Sequence, residues 1–222
     1  MCGRFTRSES IDVIADEFGV AEIFTDLQPS FNIAPTQNLV AVINDGQKKL
    51  VTMRWGLVPS WAKDLSLGSK MINARADTLA EKASFKNLIR KRRCLIVTDG
   101  FYEWKTEGKE KTPHYIQLKA NKLFAFAGLF DRWISPEDQE LTTCTIITTD
   151  ANEFMQPIHT RMPVILTDEK RDAWLDPGVK DQSYFLDMLK PYDAKAMKAH
   201  AVSKLVNSPK NNSPQLIVPD ML

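Results

Sequence analysis

Five short segments crowded between residues 94 and 149 constrain this chain most: 94–98, 101–105, 113–119, 123–129 and 142–149. Each is rich in β-branched, aromatic or aliphatic residues and is bounded by polar, Gly or Pro residues, the pattern of strands. The polar connector Thr106–Lys111 (TEGKEK) reads as a hairpin turn. Upstream, Leu39–Ile43 and Leu50–Trp55 read as strands joined by the turn Asn44-Asp45-Gly46. Helices are few. Ile11, Ile14, Ala15 and Phe18 share one face of segment 11–18, which stops at Gly19. A helix is expected over 78–91, with Leu79, Phe85, Leu88 and Ile89 inward. Two more are expected near 168–175, with Thr167 as N-cap, and 181–189. Ala199–Ser203 and Leu216–Val218 read as late strands. Many closely spaced strands with peripheral helices predict an α+β fold, a single domain over residues 1–222 built on a curved, barrel-like, mainly antiparallel β-sheet.

Composition narrows the function classes. Of 222 residues, 43% are hydrophobic, ample for a core of that size. No apolar stretch approaches the ~20 residues of a membrane span. The start MCGRFTRSES has no apolar signal core, so a cytosolic or nucleoid-associated protein, with no membrane partner, is expected. Cys94 and Cys144 lie in apolar runs and read as buried strand residues. No C-x-x-C or H-x-x-x-H pairing occurs, so no structural metal is expected. No glycine-rich phosphate loop occurs, so no cofactor is expected. A net charge of +1 argues against a general nucleic-acid coat. Cations nevertheless gather in the first half, at Arg4, Arg7, Arg54, Arg75, Lys86 and the run Arg90-Lys91-Arg92-Arg93, which leaves room for a local basic groove. The run also reads as a solvated helix end, where cations complement the dipole. No amphipathic heptad suggests an assembly interface, and a monomer is expected.

The reactive residues stand out against this background. Cys2 follows Met1 directly. With Met1 removed, it carries an amine and a thiol on adjacent carbons. An aldehyde can condense with the amine to an imine, and the thiol can close a thiazolidine. Both groups are partly available near neutrality, with ordinary pKa values of about 7.7–8.0 and about 8.5. In Asn73-Ala74-Arg75, an amide and a guanidinium share one face of a strand. Arg75 can equally pair with Asp77 or Glu81. Glu103 sits between Tyr102 and Trp104. It is either a desolvated acid with a raised pKa or a residue on the solvent face of an alternating hairpin. His159 lies in the Pro-bounded loop Pro157–Pro163, as a reactive imidazole or one satisfied by backbone groups. Trp55 and Trp61 flank a Gly/Pro-punctuated loop and serve either the core or a binding surface.

Taken in order, Met1-Cys2-Gly3-Arg4-Phe5, Phe31–Thr36 (FNIAPT), Trp55–Pro59 (WGLVP), Asn73-Ala74-Arg75, Asp99–Trp104 (DGFYEW) and His159–Pro163 (HTRMP) resemble the SOS response-associated peptidase family along essentially the whole chain. The resemblance implies recognition of abasic sites in single-stranded DNA. It implies covalent capture of the open-chain aldehyde as a thiazolidine on Cys2, and self-removal of Met1. By the same resemblance, Cys2 is the nucleophile, Glu103 the acid/base, His159 a partner of the sugar oxygen and Asn73 an orienting amide. Arg4 and Arg75 match phosphate-holding positions, Asn32 and Pro35 a pocket loop, Trp61 an aromatic near the DNA path, and Arg161 a further DNA contact. The chain departs from the family pattern at Asp77, where Glu is usual, and at Ala62 and Ala83 or Ser84, where some members carry aromatic or basic residues. A peptidase acting on other proteins through Cys2 and His159, and a non-covalent single-strand binder, are the competing readings.

Overall fold

The computed structural model describes residues 2–120, 123–179 and 181–220. Its strands are β1 (Phe5–Arg7), β2 (Glu22–Phe24), β3 (Ser30–Ile33), β4 (Asn38–Asn44), β5 (Lys48–Trp55), β6 (Asn73–Arg75) and β7 (Arg93–Thr98). They continue with β8 (Gly100–Glu107), β9 (Glu110–Leu118), β10 (Phe124–Ile134), β11 (Glu140–Asp150), β12 (Arg161–Pro163), β13 (Ile165–Leu166) and β14 (Met197–Ala201). The α-helices are α1 (Ile11–Phe18), α2 (Leu88–Lys91), α3 (Asp168–Leu175) and α4 (Gln182–Leu186).

Strands β11-β10-β7-β4-β5 pair in that order, and β5 returns to β11 in parallel through Thr143↔Arg54 and Cys144↔Trp55. Five strands thus close into a mixed barrel, which removes their open edges. A second sheet runs β14-β9-β8-β1-β3. Alternation along β4 feeds two cores: Leu39, Ala41 and Ile43 pack with Phe5, Trp55, Phe101 and Phe126, while Val40 and Val42 pack with α1, α3 and α4. In the first core the rings of Phe5, Trp55, Phe126 and Phe101 meet edge to face. The α+β, barrel-like fold is the one expected.

Local differences have physical causes. Segment 78–91 is not one helix: a 3-10 turn at Ala76–Thr78 leads through turns to the single-turn α2. Leu79, Phe85 and Ile89 are buried, but the six-residue step from Leu79 to Phe85 leaves one helical face, and only the 85–89 step keeps it. Leu216–Val218 is not a strand, because Pro214 opens a 3-10 helix at Pro214–Ile217. The 106–111 turn is shorter than expected, since β8 and β9 pair as far as Glu107↔Glu110 and leave Gly108 with φ 62° at the tip. Thr167 precedes α3 without a side-chain capping bond, and α4 starts behind Asp181, whose carboxylate accepts from Ser183 N. Of the 90–93 run, Arg90 and Lys91 are exposed, but Arg93 is buried at the start of β7, so the run is not wholly a solvated helix end.

Gly100 is the residue of β8 against which the Tyr115 side chain of β9 packs. A Cβ there would collide with the ring and hydroxyl of Tyr115, which itself hydrogen-bonds Thr6 Oγ1 at 2.8 Å. Gly100→Ala is expected to lower stability by roughly 1–3 kcal/mol through overpacking. Denaturant melts check this, and an unchanged midpoint would mean that Tyr115 moves aside at no cost.

Candidate active site

The amino-terminal segment enters the middle of the second sheet. Phe5 pairs with both Ile33 and Phe101, and Tyr102 N donates to Arg4 O at 2.9 Å. This pairs residues 4–6 with β8 and brings Cys2 within electrostatic reach of Glu103. Cys2 is fully buried in the aromatic core. Asn73 Nδ2, on β6, donates to Cys2 O at 2.9 Å and fixes the backbone of residue 2. Parallel pairing of β6 with β11, at Ile146↔Asn73, sets that amide in position.

Both faces of β8 are covered here, since Tyr102 is 0% and Glu103 only 3% exposed. Burial lifts the Glu103 carboxyl from its ordinary 4.5 to about 7. Burial, and then the Glu103 charge, push the Cys2 thiol far up, so it rests as the thiol. His159 is half-buried, and desolvation lowers its pKa. Arg161 N donates to His159 Nδ1 at 2.9 Å, which commits Nδ1 as an acceptor. The contact of Nδ1 with Arg161 O, at 3.2 Å, is longer and would need the opposite tautomer. The shorter bond fits the neutral tautomer with its proton on Nε2. Glu103 and His159 share an open pocket of about 560 Å³ with Trp104, Thr106, Lys111 and Asn207.

The other expected site residues divide by accessibility. Trp61, on the loop after β5, is 62% exposed. Pro35 is half-buried beside Thr36, whose φ is 71°. Arg75 is exposed and holds Asp77 through both Nε and Nη2, the ion-pair alternative raised by the sequence. Asn32 is buried: its amide donates to Val206 O, Ser208 O and Asn211 O, and its Oδ1 accepts from Arg4 Nη1 at 2.8 Å. Arg4 also donates to Val206 O at 2.7 Å, and its guanidinium lies 5.9 Å from the Trp104 ring centre. Arg161 is buried against Thr148 O, Thr148 Oγ1 and Asp150. Sequence reading missed Lys111 and Asn207. Lys111 pairs with Thr106 in the β8–β9 register and becomes visible once TEGKEK is read as strand ends. Asn207, whose Oδ1 accepts from Trp104 Nε1 at 2.8 Å, carries no local signal.

A barrel-closed α+β fold that buries Cys2 beside a desolvated glutamate of β8, with a loop histidine on the same pocket, defines a class of proteins centred on that cysteine. The chain belongs to the SOS response associated peptidase (SRAP) family, whose profile matches residues 1–209. It is 53% identical over 221 residues to the abasic site processing protein YoqW of Bacillus subtilis (strain 168), covering 98% of this chain and 99% of YoqW. It is 36% identical over 220 residues to the abasic site processing protein HMCES of Xenopus tropicalis, covering 85% of this chain and 65% of HMCES. A crystal structure of a Bacteroides thetaiotaomicron protein superposes with a TM-score of 0.91 at 29% identity, over 99% of this chain and 100% of that one.

The Glu103 shift makes stability depend on pH. Between pH 4.5 and about 7 the folded chain keeps a proton that the unfolded chain releases. Stability therefore falls as pH rises through that window, by up to about 1.4 kcal/mol per unit, and levels off above it. Glu103→Gln should remove this slope and melt higher than the wild type at pH 8, with a smaller difference at pH 5. Parallel melting curves across pH 5–8 would rule the shift out.

Proposed function

We propose that this chain recognises abasic sites in single-stranded DNA and becomes covalently attached to them through Cys2 after Met1 is removed. The carrying observation is the buried Cys2 beside Glu103, next to a pocket that Glu103 and His159 share. The printed names of the relatives, abasic site processing proteins, support the same substrate. A sugar that has lost its base can enter such a pocket, and the sequence carries no recognisable peptide-binding signature. That disfavours peptidase action in trans.

The chemistry follows from the protonation states. Ring opening of the sugar needs a proton taken from the C1′ hydroxyl and one given to the ring oxygen. A carboxyl near pKa 7 can do both at neutral pH. His159 donates from Nε2 to the sugar oxygen. The Cys2 amine adds to the C1′ aldehyde, and the carbinolamine loses water to an imine. The thiol then adds to the imine carbon while its proton passes to nitrogen, closing the thiazolidine. Glu103 relays these protons, which the thiol's high pKa makes necessary. Asn73 holds the Cys2 carbonyl and thereby aims the amine. Removal of Met1 by the chain itself, with the Cys2 thiol as nucleophile, is the peptidase part of this reading.

Arg4 and Arg75 take DNA phosphates, and Trp61 and Pro35 border the strand. Asn32 and Arg161 act behind that surface, Asn32 by holding Arg4 and Arg161 by fixing the His159 ring. The Arg75–Asp77 pair is exposed to solvent, where such pairs contribute little, and it gives way to a phosphate. The chain works as one domain, as a monomer, without a cofactor, in the cytosol or at the nucleoid. No helix among the described residues is long and apolar enough to cross a membrane.

Mixed with an abasic single strand, the wild type should give a denaturant-stable adduct on a gel, and Cys2→Ala none. Retained crosslinking in Cys2→Ala would sink the thiazolidine route. Glu103→Gln should slow single-turnover capture by roughly 10²–10⁴-fold with little loss of affinity. Arg75→Ala should reduce the salt slope of single-strand binding by about 0.7, the value for one phosphate contact. An unchanged slope in titrations from low to moderate salt would remove Arg75 from the interface.

A further inference from the structure

The basic run Arg90–Arg93 is not used by the chemistry above, yet it is built around a pocket. Arg90, Lys91 and Arg93 line a cavity of about 280 Å³ with Asn44, Leu175 and Pro177, and among the described residues no carboxylate lines it. Arg93 is 6% exposed; its guanidinium donates to the carbonyls of Trp174, Ile89 and Asp176 and lies 3.7 Å from the Phe185 ring centre, so its direct partners among the described residues are all neutral. The Asp176 carboxylate is close enough to support its charge, but Oδ1 is taken by Gly178 N at 2.8 Å. Asp181 feels Arg90 but caps α4. None of the three cations has an ion-pair partner among the described residues. A buried cation normally finds a counter-charge. The single turn of α2 offers too small a dipole to hold three cations in one place.

We propose that this pocket is a second, anion-binding site for a phosphate group, with Arg90 and Lys91 closing on it above the Arg93 guanidinium. It lies at the Asn44 end of β4, whereas the Asn38 end adjoins Trp55, whose Nε1 donates to Ile72 O next to Asn73. Six residues of strand separate the two ends by about 20 Å. The site is therefore distinct from the Cys2 pocket and independent of its chemistry. The phosphate belongs either to a nucleic-acid backbone or to a small ligand.

The test compares the wild type with an R90A/K91A double variant, whose altered residues are exposed and leave Arg93 in place. At constant ionic strength, millimolar inorganic phosphate should raise the melting temperature of the wild type and not of the variant. Titration of both with an undamaged single-stranded oligonucleotide then identifies the source. A salt slope lower by about 1.4 in the variant assigns backbone phosphates. An equal slope assigns a small phosphate-bearing ligand. Capture of a short abasic oligonucleotide should be the same in both proteins, which separates this site from the Cys2 reaction. A melting temperature that phosphate leaves unmoved, or moves equally in both, overturns the proposal.

Discussion

The pairing of β1 with β8 is the contact on which the rest of the site depends. β1 is three residues long and has β3 on its other side, so it is held by ladders on both edges. It puts Cys2 into an aromatic core, where neither a thiolate nor a carboxylate is comfortable. The Thr6 hydroxyl reinforces the register through Asp99 and Tyr115, and Asp99 also accepts from Ser8 N and Oγ. A slip of one residue would turn Cys2 away from Glu103 and break this buried network together. Register and reactivity are therefore specified by the same hydrogen bonds.

Desolvation then sets the chemistry. Burial raises the pKa of both Glu103 and Cys2, the Glu103 charge raises the thiol further, and the glutamate, starting lower, ends near neutrality. His159 is driven the opposite way, toward the neutral form, by the same cause. The site rests with little charge of its own and keeps its protons in place.

Much of this was legible in the sequence where a single periodicity ruled. The strands of the barrel read as short apolar runs bounded by turn residues, and β4, β7 and β10 are buried along almost their whole length, while α1 ends at Gly19 in the left-handed conformation, as its pattern requires. Glu103 stayed ambiguous because alternation assumes one wet face, and β8 is covered on both sides at that point. The 78–91 segment misled because its apolar residues serve separate turns. The stretch from 203 to 217 was least legible. It is held by amide side chains on backbone groups, from Asn32, Asn211 and Asn212, and no hydrophobic period records such bonds. Arg93 was hidden for a similar reason: in a run of four cations, nothing in the letters says which one turns inward.

The bond from Arg4 to Val206 O spans 202 positions of chain. Barrel closure itself waits for Cys144 to reach Trp55. Synthesis makes the cysteine end first, but its neighbours arrive in order of their distance along the chain: Asn73, Glu103, His159 and finally the segment around Asn207. Contacts of such long range form slowly and late. The thiol is thus exposed at first among unfolded chain and gains Asn73, Glu103 and His159 as neighbours only as the rest of the polypeptide emerges and folds. On the function proposed above, a translation product interrupted before residue 159 carries Cys2 without the histidine of its pocket, so the topology ties the reaction to a nearly finished fold.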